Sequence, residues 1–147
     1  KNNHKLVLKY AILGNGPELS RLKDLVMKFN LLKQVSFIDE NINSSRIYNE
    51  SKIHIMPTIT TPDSVEGFGI SNIEAAAFGL PCIVSDSGGT PESINKNGIK
   101  VKENNLEDLT NGIIDVMNNL DKLSKKSHQL AKKFENTKKI KEYLNSF

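Results

Sequence analysis

Short apolar runs alternate along this 147-residue chain with segments whose apolar residues recur at helical spacing, and that alternation leaves few architectures open. Residues 6–13 read as a strand, Gly14-Asn15-Gly16-Pro17 breaks it, and Leu19, Leu22, Leu25, Val26 and Phe29 follow on one helical face. Residues 35–38, 53–56 and 82–84 are further short strands. Helical segments are expected around Ile47 and Tyr48 and over 70–78, the latter stopped by Gly79 and Pro81. A helical turn over 91–94, an edge strand over 99–101 and a helix carrying Leu106, Leu109, Ile113, Ile114, Met117 and Leu120 come next. The Lys-rich remainder continues as one or two more helices. Strands that alternate with helices are joined by right-handed crossovers, which sets them parallel and covers both faces of the sheet. The expected fold is therefore α/β, a Rossmann-like parallel sheet with helices on both faces. A length of 147 residues favours one domain, with the C-terminal helices over 105–147.

Several function classes fall away on composition. No apolar run approaches the ~20 residues that a bilayer span needs. A single cysteine, Cys82, cannot close an intrachain disulfide, and Pro81, Ile83 and Val84 around it make it a small buried hydrophobe, so a reducing, cytoplasmic setting is expected. The net charge of +3 is uneven, because residues 122–147 hold eight lysines against Glu135 and Glu142. Such a tail is either a solvated helix face or a contact for anionic lipid. Nucleic acid is not expected, since the tail interleaves no arginine, and Arg21 and Arg46 are the only two in the chain. His4, His54 and His128 have no ligand spacing, so no metal is expected, and His54 between Ile53 and Ile55 reads as a packed strand histidine. The chain opens at Lys1 and not at a methionine, which is expected of part of a longer protein.

In an open parallel sheet the ligand crevice lies outside the carboxyl ends of the strands. The segment Thr61-Pro62-Asp63-Ser64-Val65-Glu66-Gly67-Phe68-Gly69-Ile70 runs from such a strand end into a helix, where unpaired amides gather. Gly67, Phe68, Gly69 and Ile70 can cradle a phosphate or diphosphate there, with the helix dipole behind them. A carboxylate beside phosphate is repelled, so a functional Glu66 points at a sugar hydroxyl or at developing positive charge. Glu74, about two turns further along the helix, can accept hydrogen bonds from a ribose diol. The plainer alternative has the glycines building the turn, Glu66 capping helix amides and Glu74 lying exposed. Gly14-Asn15-Gly16 is a tight turn, because Pro17 spoils a dinucleotide fingerprint.

The ordered series Gly14-Asn15-Gly16-Pro17-Glu18, Val35-Ser36-Phe37, Met56-Pro57, Glu66-Gly67-Phe68-Gly69-Ile70, Ile73-Glu74-Ala75, Gly79-Leu80-Pro81 and Gly88-Gly89-Thr90-Pro91-Glu92 resembles the group 1 glycosyltransferases. These are the retaining, nucleotide-sugar-dependent enzymes of family 4, with the two-domain GT-B fold. The resemblance covers roughly residues 6–101 and weakens through the C-terminal helices. It implies a C-terminal donor-binding domain whose first strand and N-terminal acceptor domain are absent, so that this piece is inactive alone while its parent is a hexosyl-type transferase.

The resemblance further implies roles. Glu66 is the catalytic carboxylate, contacting the transferred sugar, and Glu74 holds the ribose. Amides of Phe68, Gly69 and Ile70 hold the diphosphate beside Gly67, and the base lies near Asn41 and Arg46. The donor is a UDP-, GDP- or ADP-sugar, the acceptor a saccharide or a lipid-linked molecule at the inner face of the cell membrane, and neither cofactor nor metal is required. Asp39-Glu40 stands where the family often has a glycine. Two other classes are compatible with the residues: a non-catalytic nucleotide-sugar-binding module, and a structural domain docked through its basic tail.

Overall fold

The computed structural model describes residues 8–39 and 41–135. His4, residues 6 and 7 of the expected first strand, Glu40 and the last part of the lysine tail lie outside them. Two compact units divide between Ile47 and Tyr48.

In the first unit, β1 (Tyr10–Leu13) runs parallel to β2 (Val35–Ile38), with Tyr10 opposite Val35 and Leu13 opposite Ile38. The crossover is α1 (Leu19–Lys28), which buries Val26. The helix ends in a left-handed cap: Asn30 takes φ 55°, its N–H returns to Met27 O at 3.0 Å, and Leu31 N–H returns to Val26 O at 2.8 Å. Helix α2 (Ser44–Glu50) begins in this unit, where Asn43 Oδ1 accepts from the Ser45 amide at 2.9 Å, and ends in the next.

The second unit carries β3 (His54–Met56), α3 (Ile70–Ala77), β4 (Cys82–Ser85), a 3₁₀ turn at Thr90–Ser93, β5 (Gly98–Val101), α4 (Leu106–Asn118) and α5 (Leu120–Glu135). Its sheet is parallel in the order β3-β4-β5. All four residues of the central strand β4 are buried, and their alternation divides the core in two. Cys82 and Val84 pack with Ala75, Leu80, Met56 and Tyr48 on the α3 side, whereas Ile83 packs with Val116, Val101 and Ile55 on the α4 side. Burial of this kind on both faces removes roughly 1.5–3 kcal/mol worth of apolar surface per large side chain. Helix α4 sits close because Gly112 faces the sheet, where an added Cβ would come within 2.9 Å of Val101. Its N-terminus is capped by Asn105, whose Oδ1 accepts from the Asp108 amide at 2.9 Å. Helix α5 turns back onto α3, burying Leu130 against Ile73 and Ala76, and Ser127 donates to Leu80 O at 2.8 Å.

The parallel α/β class, with helices on both faces of β4, matches the expectation from sequence. The pairing differs in one respect: the expected single sheet is, among the described residues, a two-stranded ladder in one unit and a three-stranded ladder in the other. Strands of three or four residues supply few ladder bonds each, and their partners cannot be read from runs so short.

Candidate functional site

The segment from Pro57 to Gly69 connects β3 to α3 without regular structure apart from a bridge between Thr61 and Ser64. Loops after the other strands hold it. Thr60 N–H donates to a carboxylate oxygen of Glu103, which follows β5, and the Thr60 and Ser87 hydroxyls share a hydrogen bond. Further along, Gly89 N–H donates to Glu66 O at 2.9 Å. The approach is so close that a Cβ on Gly89 would stand 1.8 Å from Gly67 O, and one on Gly88, at φ 54°, would stand 2.5 Å from Glu66 O. Gly88-Gly89 thus forms a mould for the Glu66 backbone that only residues without a side chain can make.

Within the mould the Glu66 side chain folds over its own loop. Its Oε1 accepts from Gly69 N–H at 3.1 Å and from Phe68 N–H at 3.4 Å. Two of the four residues singled out as a phosphate cradle, Phe68 and Gly69, therefore turn their amides onto a carboxylate, and that group is the chain's own Glu66. Gly69 caps α3 with φ 78° and is buried against Met56 and Asn72, so a side chain there would be strained and crowded. Gly67 differs, because an added Cβ would meet nothing within 4 Å. Phe68 anchors the loop by stacking edge-on against Phe134 of α5, 6.2 Å between centroids. Ile70 opens α3 with its side chain 46% exposed.

Glu74 stands on the face of α3 turned to α2, where the Tyr48 hydroxyl donates to its Oε2 at 3.3 Å. The Tyr48 ring is held by His54, edge-on at 5.9 Å, and by Phe78 at 5.4 Å. Burial first, and then the Glu74 carboxylate, push the Tyr48 phenol well above its ordinary range, so it stays a proton donor. Beneath the helix, Asn72 donates to Ser93 Oγ at 2.7 Å, and Ser93 passes the bond to Thr90 O at 2.7 Å. Burial pushes the Cys82 thiol up to about 12, which makes it the inert, packed residue its neighbours foretold.

Glu66, Gly67, Phe68, Gly69, Ile70 and Glu74 thus share one strand end and one helix start. Asn41 and Arg46 belong to the first unit. Asn41 is exposed and turned onto Asp39, with both its backbone and side-chain N–H groups donating to Asp39 Oδ1, at 2.8 and 2.7 Å. Arg46 lies in the first turn of α2, its N–H on Asn43 O at 3.1 Å. Tyr48, Ser87, Gly88, Gly89 and Glu103 did not emerge from motif spacing as parts of this site. The Gly88-Gly89 pair was the one available signal, since two glycines after a strand mark a close backbone approach. Among the described residues no three His, Cys, Asp or Glu side chains gather to hold a metal ion, and no helix is long and apolar enough to cross a membrane.

Comparison with known proteins adds four findings. The family model of glycosyl transferases group 1 matches residues 1–139. An uncharacterized glycosyltransferase of Haemophilus influenzae is 30% identical over 138 residues, covering 90% of this chain and 38% of that protein. Among solved structures, a glycosyltransferase of Rickettsia africae superposes with a TM-score of 0.73 at 27% identity, over 84% of this chain and 34% of that one. Anabaena Alr3699/HepE, solved in complex with UDP, superposes with a TM-score of 0.74 at 18% identity, over 95% of this chain and 41% of its own.

Proposed function

The chain belongs to the glycosyl transferases group 1, and on that premise we propose that it is the donor-binding part of a retaining transferase that moves a sugar from a nucleoside diphosphate to a saccharide or lipid-linked acceptor. The observation that carries this reading is the pair of amides, Phe68 N–H and Gly69 N–H, holding a carboxylate at the start of α3. A donor diphosphate is an anion with more charge and more acceptor oxygens than a carboxylate, and the helix dipole favours it further. When it takes those amides, the Glu66 carboxylate is released toward the sugar, where it stabilises the positive charge that develops as the glycosidic bond to the diphosphate breaks. Glu74, two turns along, accepts from the ribose hydroxyls. The Anabaena neighbour was solved in complex with UDP, which supports a nucleotide as the class of ligand. The chain spans 38% of the length of the Haemophilus relative, so the acceptor's side of the reaction is assigned to residues outside this sequence.

Isothermal titration with UDP, GDP, ADP and their sugar conjugates tests the donor assignment. One base is expected to bind, weakly, and Glu74→Ala is expected to weaken it about tenfold, the loss of a hydrogen bond to a charged acceptor. Equal affinity of wild type and variant would remove Glu74 from the site.

The same proposal extends to the membrane. Lys122, Lys125, Lys132 and Lys133 are exposed along α5, clear of its buried stripe of Leu123, Ser127 and Leu130, an arrangement suited to the anionic cytoplasmic leaflet on which a lipid-linked acceptor is presented. Each lysine near such a surface contributes about 1 kcal/mol. Flotation with phosphatidylserine vesicles is therefore expected to recover the chain at low salt and lose it at 0.5 M, where screening shortens to a few ångströms. Retention at high salt, or none at low salt, would remove the contact.

A further inference from the structure

Glu74 has one side-chain neighbour whose position its proposed role does not explain. The Tyr48 hydroxyl donates to Glu74 Oε2 at 3.3 Å and lies 3.5 Å from Ser71 O, one helical turn earlier on α3. The phenol is thus aimed at one strip of α3, and its direction is fixed from behind: His54 packs edge-on against the ring and Phe78 lies over it. Tyr48 also belongs to the α3-side core with Ala75, Leu80 and Cys82, so the ring cannot swing away without opening that core. A free glutamate samples several rotamers and loses that freedom on binding, typically about 1.5–2 kcal/mol at full ordering. A half-buried phenol that holds one carboxylate oxygen lowers this cost before ligand arrives, while a carboxylate with about four lone-pair sites retains acceptors for two ribose hydroxyls.

From this geometry we infer that Tyr48 is a positioning residue for nucleotide-sugar binding, orienting the Glu74 carboxylate toward the ribose diol without touching the ligand. The inference rests on the donor-site reading and deepens it, because it makes affinity for the ribose depend on an α2 side chain. The aromatic packing is a structural duty that Phe fulfils equally, so the hydroxyl is the part assigned to function.

The test is a double-mutant cycle read by titration with UDP, GDP and ADP, each against its 2′,3′-dideoxy counterpart. Tyr48→Phe is expected to weaken the ribonucleotide that binds about fivefold, the worth of one neutral-to-charged hydrogen bond, and the dideoxy nucleotide less than twofold. In the Glu74→Gln background the same substitution is expected to change nothing further, which is the coupling expected of groups in contact. Equal weakening of both ligands by Tyr48→Phe, including weakening through a loosened fold, overturns the inference. So does additivity with Glu74→Gln, or an unchanged Tyr48→Phe where Glu74→Gln does weaken binding. Failure of the underlying reading looks different: wild type binds none of the three nucleotides, or Glu74→Gln leaves the affinity intact, and the inference falls with it.

Discussion

Gly89→Ala is expected to disable the loop proposed to hold the donor while leaving the second unit's core folded. Gly89 sits at φ −91° and ψ 0°, which alanine adopts freely, so the cost is steric and not torsional. The new Cβ would stand 1.8 Å from Gly67 O and 2.7 Å from Gly67 C. The Gly67 carbonyl must retreat by about 1 Å or more, and a displacement of that size at a positioning element costs on the order of 10²-fold in turnover. The bond from Gly89 N–H to Glu66 O, 2.9 Å, goes with it. Nucleotide affinity is therefore expected to fall at least tenfold, with a loss of a few degrees in Tm, since about 1 kcal/mol corresponds to several degrees in a small domain. Gly67→Ala is the control from the same loop: its Cβ meets nothing within 4 Å, and Tm is expected to stay within a degree or so of wild type. Nucleotide binding by Gly89→Ala at wild-type affinity would show that the mould does not shape the site.

The second large effect is a dependence of stability on pH that runs through His54. The side chain lies in β3 under Tyr48, and no hydrogen bond of standard geometry reaches its buried Nε2. Burial lowers the imidazole from 6.5 to about 4, an effect that Asn72 beside it opposes only in part. The unfolded chain takes up this proton as pH falls through 6.5, whereas the folded chain resists it until about 4, so the unfolded state binds more protons across that window. Stability accordingly rises with pH from about 4 to about 6.5 and is level above it. The gap between 6.5 and about 4 corresponds to about 3 kcal/mol. Urea midpoints measured from pH 7.5 to 4.5 are expected to show most of this loss in wild type, and a slope smaller by that amount in His54→Gln. Parallel profiles for the two would mean that His54 is protonated in the folded protein.

Much of the site was legible because its chemistry is local. Glu66, Gly67, Phe68, Gly69 and Ile70 are consecutive, and a loop that enters a helix through two glycines collects amides wherever it lies in a fold. Glu74 follows at helical spacing. The plainer alternative, in which Glu66 caps the amides, is the arrangement observed, and the phosphate cradle is the proposal built on it. Asn41 was expected near the base, and in the structure its side-chain N–H donates to Asp39 Oδ1 two residues away. The Asx turn there is closed by Asp39, whose Oδ1 accepts from the Asn41 amide, and motif spacing does not show which way the Asn41 side chain turns.

The supports of the site were not legible, because each comes from a distant part of the chain. Gly89 meets Glu66 and Gly67 across 22 or more residues, Glu103 reaches back to Thr60, and Tyr48 faces Glu74. Nothing in the spacing of Tyr48 distinguishes a core ring from one whose hydroxyl is aimed at a carboxylate. What the amino-acid order determined by itself is whatever depends on neighbours within a turn or a strand: the continuous buried run of Cys82, Ile83 and Val84, the helical faces, the glycine stops, and the amide-rich entry to α3. Which strand pairs with which, which loop moulds the Glu66 backbone, and which side chain holds Glu74 were decided only by tertiary packing, since those contacts exist only once the sheet has brought its carboxyl ends together.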